Sequence, residues 1–226
     1  MAQNPSIPEA ATDKTRSLLL GGVVAGPVYR GISLIQAFTR PGFDITRHAL
    51  SLLTNGDLGW LQIANFIVTG LLIMAGAVGM RRALNSGRGR TWGPLLVGIF
   101  GLSFIGAGMF IPDPALGFPV GTPADAMTIS SKGIMHFAFG GIGFLAIIAA
   151  CFVFARRFSG LQKGGWALYS MVTGIVFLAA FAGISSGSGK SWTFIGFLVG
   201  VTFLWSWIAL LSAHLRTELL NPPSGS

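Results

Sequence analysis

Residues 59–82 read GWLQIANFIVTGLLIMAGAVGMRR, a run of apolar and small residues that opens on a Gly-Trp and stops at two arginines. A hydrocarbon core about 30 Å thick takes about 20 helical residues to cross. The stretch 59–80 has that length and no charge, with Trp60 placed as an interfacial ring and Arg81 and Arg82 as a basic stop. It reads as one transmembrane helix. Inside lipid every backbone N–H and C=O needs a partner in its own segment or in a closed barrel, and the run is too long and too evenly apolar for a barrel strand.

Working outward from this stretch, five more windows have the same character, at about 17–38, 93–111, 132–154, 165–184 and 192–213. The whole chain agrees: 52% of its 226 residues are hydrophobic and 10% are charged, which excludes an ordinary water-soluble domain. The expected fold is all-α, a polytopic membrane bundle of six transmembrane helices spanning 17–213, with tails at 1–16 and 214–226. The first apolar run continues through Tyr29 and Arg30 with no small-x-small cleavage site, so it reads as a retained helix rather than a signal peptide.

Charge sets the orientation. Ten basic residues (Lys14, Arg16, Arg81, Arg82, Arg88, Arg90, Arg156, Arg157, Lys163 and Arg216) flank the helices on the side of the termini. Four (Arg40, Arg47, Lys132 and Lys190) lie on the other side, and Arg30 is inside a helix. The positive-inside rule then puts both termini in the cytoplasm of a multi-pass cell-membrane protein. The net charge of +8 is accordingly expected to face anionic inner-leaflet lipid, with no nucleic acid as partner. The single cysteine, Cys151, falls within helix 4, which leaves no disulfide, CxxC pair or thiolate cluster.

Small residues at helical spacing (Gly22 and Gly26, Ala75 and Gly79, Ala179 and Gly183, Gly196 and Gly200) predict close helix approach. Setting GWLQIANFIVTG beside GIMHFAFGGIGF aligns Gly59 with Gly133 and Gln62 with His136, a pattern compatible with three helical-hairpin repeats.

The polar residues are concentrated on the side away from the termini. In GFDITRHALSLL, residues 42–53, a helix would put Asp44, His48 and Ser51 at i, i+4 and i+7 on one face. With Asp113 from the Pro-rich FIPDPALGFPVGTP stretch and His136 near the start of helix 4, they predict a polar, outward-facing cavity. Arg30, Arg47, Gln62 and Asn65 are its candidate ligand-binding residues, for a small polar or lipid-derived molecule.

Several chemistries fit this inventory. Asp44, His48, Asp113 and His136 are a mixed N/O donor set suited to zinc or a similar divalent metal, and metal-assisted hydrolysis at the outer leaflet would follow from it. A haem between His48 and His136 is another option, without the paired histidines of a multi-haem bundle. Asp44, His48 and Ser51 are also the residue types of a hydrolytic triad, although side chains on one helix point outward side by side rather than converging.

Each residue also has a plainer reading. Asp44 would cap a helix, His48 hydrogen-bond at the interface, Ser51 pack between helices, and Asp113 bind backbone amides in a stiff loop. Gln62 and Asn65 would bond between helices. Arg30, after the kink expected at Pro27, would either pair with Asp44 or Asp113 or snorkel to the headgroups. A proton- or solute-coupled path through Arg30, Asp44 and His136, or a structural role in membrane assembly, are the competing functional classes.

The segments RPGFDITRHALSLL, GWLQIANFIVTGLL and FIPDPALGFP, with the His-bearing start of helix 4, resemble the prokaryotic six-helix membrane family catalogued as domain of unknown function 998, over about residues 17–213. The resemblance implies a multi-pass bundle and brings no established reaction or catalytic residues.

Overall fold

The computed structural model describes residues 9–126 and 129–220. Residues 1–8 of the expected N-terminal tail and 221–226 of the expected C-terminal tail lie outside the described residues. Six helices long and apolar enough to cross a membrane make up the described chain: α1 (Glu9–Thr39), α2 (Gly59–Ala83), α3 (Trp92–Met109), α4 (Ser131–Gly160), α5 (Gly164–Ser185) and α6 (Ser191–Glu218). The protein is a multi-pass, all-helical membrane protein.

The helix ends follow the sequence windows closely, with two differences. α1 begins at Glu9, inside the stretch read as a tail, and α4 and α6 each run several residues beyond their apolar windows. The extensions carry the basic residues at the termini end, where a helix needs no lipid to be stable and Arg157 and Arg216 each bind backbone carbonyls across to another segment.

Each helix packs against its neighbours in the chain, and α6 returns to pack against α1 and touch α2, so the six close into a ring. Close backbone approach fixes the α1–α2 and α2–α3 seams. A Cβ on Gly76 would stand 2.8 Å from the Gly22 nitrogen, and one on Gly70 would stand 2.6 Å from the Gly101 carbonyl oxygen. Either would push the helices apart. Of the small-residue pairs expected at interfaces, Gly22, Gly26, Gly79 and Gly200 sit at such contacts; Gly196 faces open space.

We call the end opposite the termini distal. It holds the two long connections, 40–58 and 110–130, and a second small core of Ala37, Leu52, Leu53 and Phe118 that caps the ring. Arg40, buried directly after α1, ties this cap together: its guanidinium donates to the carbonyls of Leu53 and Asn55 and lies 5.0 Å over the Phe118 ring.

A candidate ligand cavity beneath the distal cap

The segment around Asp44 is not the helix the spacing suggested. Residues 45–47 form a turn and only Leu50–Thr54 coils, as a short 3₁₀ helix. The turn starts because the Asp44 carboxylate accepts from the Thr46 N–H and hydroxyl, at 2.8 and 2.7 Å. Such local side-chain bonding competes with helix formation. The same two bonds hold the Asp44 carboxyl below the usual carboxylate range.

His48 is thereby turned inward and buried. Its Nδ1 accepts the Asp44 backbone N–H at 2.9 Å, and its Nε2 lies 3.0 Å from the Leu116 carbonyl oxygen. Only the neutral tautomer with the proton on Nε2 satisfies both. The ring therefore staples the 40–58 connection to the 110–130 connection, with Phe43 and Phe118 packed at its faces.

Asp113 has a similar task one connection later. Its Oδ2 accepts the Ser130 N–H at 2.8 Å, at the start of α4, and this bond keeps its carboxyl below the usual range. A carboxylate is favoured there by the positive end of the helix dipole. Gly133 is required beside it, since a Cβ at that position would collide with the same carboxylate oxygen.

His136 lies a turn into α4, buried. Its Nδ1 faces two carbonyl oxygens at the end of α3, Ala107 at 2.9 Å and Phe110 at 2.8 Å, so Nδ1 carries the proton and Nε2 is the lone-pair nitrogen. Nε2 has no bonding partner among the described residues.

Below the cap and inside the ring lies a cavity of about 220 Å³. His48 and Ser51 roof it, His136 and Ser103 stand in its wall, and the rest is almost entirely apolar and rich in aromatic rings, Phe104 and Trp205 among them. Tyr29, Phe104 and Trp205 form its floor as a cluster with ring centroids 5.2 to 5.5 Å apart.

This geometry corrects the polar-cavity expectation. Asp44, Arg47, Asp113, Arg30, Gln62 and Asn65 do not line this space. Asp44 and Arg47 are exposed above it, and Asp113 is held at the α4 terminus. Gln62 and Asn65 are buried in the α1–α2 seam, where Gln62 Nε2 donates to Ser33 Oγ at 2.9 Å, Gln36 Nε2 donates to Gln62 Oε1 at 2.9 Å, and Asn65 Nδ2 donates to the Tyr29 carbonyl at 3.0 Å. The interhelical reading of these amides is the one the structure gives.

The four proposed metal donors are not brought together either. Among the described residues no three His, Cys, Asp or Glu side chains gather as a ligand set. Both His48 nitrogens already have backbone partners, and the two carboxylates point at separate backbone amides. Nor do Asp44, His48 and Ser51 form a relay, because His48 meets the Asp44 backbone rather than its carboxylate. The haem option loses one axial ligand for the same reason.

Sequence reasoning passed over Arg40, Phe118 and the internal aromatics Tyr29, Phe104 and Trp205. The available signal was position: Trp205 lies in mid-helix, unlike the tryptophans at helix ends.

A family model described as "Protein of unknown function (DUF998)" matches residues 23–214, nearly the whole ring. The chain belongs to this family. No curated protein and no solved structure matches it. In this DUF998 member the matched span takes in the cavity, the cap, His48 and His136.

Proposed function

We propose that the central cavity binds a small lipid-derived amphiphile, an apolar body carrying one hydrogen-bond donor such as a hydroxyl. The observation that carries this reading is the unpaired His136 Nε2 in a largely apolar, aromatic-rich wall. Ligand sites are characteristically apolar with a few placed polar groups, and pinning one imidazole nitrogen on backbone carbonyls is how a protein fixes the direction and basicity of the other. The aromatic rings supply contact area with little conformational freedom to lose. Ser51 and Ser103 are secondary polar positions; the Ser103 hydroxyl already donates to the Phe100 carbonyl at 2.7 Å.

The reading favours a binding or carrier protein over a hydrolase, since the cavity's serines stand without a base and acid arranged behind them. Bromodecanol and bromodecane, titrated into protein in phosphatidylcholine nanodiscs with tryptophan quenching as readout, separate the donor's contribution from the chain's. The alcohol is expected to bind more tightly, and His136→Ala to weaken it about five- to tenfold while leaving the bromoalkane unchanged. Equal affinity for the two probes in the unsubstituted protein would defeat the reading.

A further inference from the structure

Gly26, Pro27, Arg30 and Leu34 of α1 and Trp205, Ser206 and Ala209 of α6 line a second, open groove of about 240 Å³ that shares only Trp205 with the cavity. It lies at mid-length of both helices: Gly26 is within a few residues of the centre of α1 and Ser206 of the centre of α6. Arg30 is about 14 Å from the distal end of α1 at 1.5 Å per residue. Helical side chains lean toward the N-terminus, which here means away from the distal headgroups, so snorkelling in that direction runs against the geometry.

The carboxylates expected to pair with Arg30 are engaged elsewhere, Asp44 with Thr46 and Asp113 with Ser130. No hydrogen-bond acceptor or ion-pair partner meets the Arg30 guanidinium among the described residues, and the Ser206 hydroxyl donates to the Thr202 carbonyl. On the same helix Ile35 and Phe38 are 66% and 76% exposed, so the flank of the groove faces lipid. A lone guanidinium at this depth is costly until an anion joins it.

We propose that this groove binds the carboxylate of a single-chain fatty acid, with Arg30 as the anion-binding residue and the acyl chain lying along the α1–α6 seam. Depth selects a carboxylic acid over a phosphodiester lipid. A carboxyl group reaches mid-bilayer protonated and returns its proton to bulk water when the guanidinium takes the carboxylate, whereas a phosphodiester stays charged and is held at headgroup level. One guanidinium matches one negative charge, and its planar fork donates to both carboxylate oxygens.

The site stands independently of the cavity reading and is tested with a different probe. Carboxyl-¹³C laurate is added to the full chain in phosphatidylcholine vesicles at neutral pH, and a distinct bound carboxyl resonance is followed. Arg30→Gln is expected to weaken laurate about tenfold or more, the scale of a charge-assisted bond, with Arg30→Lys retaining part of it. Ala209→Phe, which fills the groove without touching the charge, is expected to remove the resonance as well. Bromodecanol binding remains as before in all three variants. Absence of a bound resonance in the unsubstituted protein, indifference to both Arg30→Gln and Ala209→Phe, or displacement of laurate by phosphatidylglycerol in the vesicles would each overturn the proposal.

Discussion

The α1–α2 seam and the cavity wall lie in the same half of the bundle, yet they treat polar atoms in opposite ways. In the seam, Ser33, Gln36, Gln62, Asn65 and Thr69 are buried and turned on one another, so that most donors and acceptors are used within the cluster. In the wall, aromatic rings surround a single imidazole whose second nitrogen is left open. The difference teaches how to read polar residues in a membrane protein: a polar group answered by a polar neighbour holds helices together, while one framed by apolar surface is available to a visitor.

The seam should respond most strongly to substitution. Gln62→Leu removes the hub and strands the Gln36 amide, Ser33 and part of the Asn65 amide. Several bonds at about 0.6 kcal/mol each, with the cost of unpaired buried groups added, predict a loss of roughly 2 kcal/mol in detergent unfolding. Pairing it with Gln36→Leu should recover part of that loss, because a fully apolar contact leaves fewer orphans. If Gln62→Leu left stability unchanged, the seam would not be the structural region described here.

The cap histidine offers a sharper contrast with His136. His48→Ala removes the bond that joins the two distal connections and is expected to cost about 1 kcal/mol, with faster amide exchange in both connections and little change near the termini. Exchange confined to one connection would show that His48 is not the staple.

The smallest effect is set by pH. Asp44 and Asp113 each have a carboxyl held below its ordinary value, so their contribution to the cap is complete above about pH 4 and is lost as pH falls through the depressed values. Thermal unfolding in detergent should therefore show a modest acid-side decline that the Asp44→Asn/Asp113→Asn double variant flattens, and an equal decline in that variant would place its origin elsewhere.

Hydrophobicity made the fold legible because lipid imposes the same demand on every turn of a spanning helix. The helix edges and the Arg81–Arg82 stop were readable on that ground. The segregation of Asp44, His48, Asp113 and His136 near the distal end was readable too, but their partners were not. His48 binds an amide and a carbonyl, His136 two carbonyls, and Asp113 an amide. Backbone partners leave no mark in residue identity, so a sequence suggests that these side chains seek one another when each has been answered by the main chain. The aromatic wall was hidden for the opposite reason, since a Phe such as Phe104 in an apolar window is indistinguishable from ordinary lipid-facing bulk, and only the mid-helix position of Trp205 set it apart.

Because α6 supplies Trp205 and closes against α1, the enclosure depends on a contact between the two helices farthest apart in the described sequence. The Gly22–Gly76 crossing is local to the α1–α2 pair, while the Gly26–Trp205 contact joins α1 to α6. Remove α6 and the amide cluster between α1 and α2 keeps its partners, whereas the cavity loses Trp205 and one whole side.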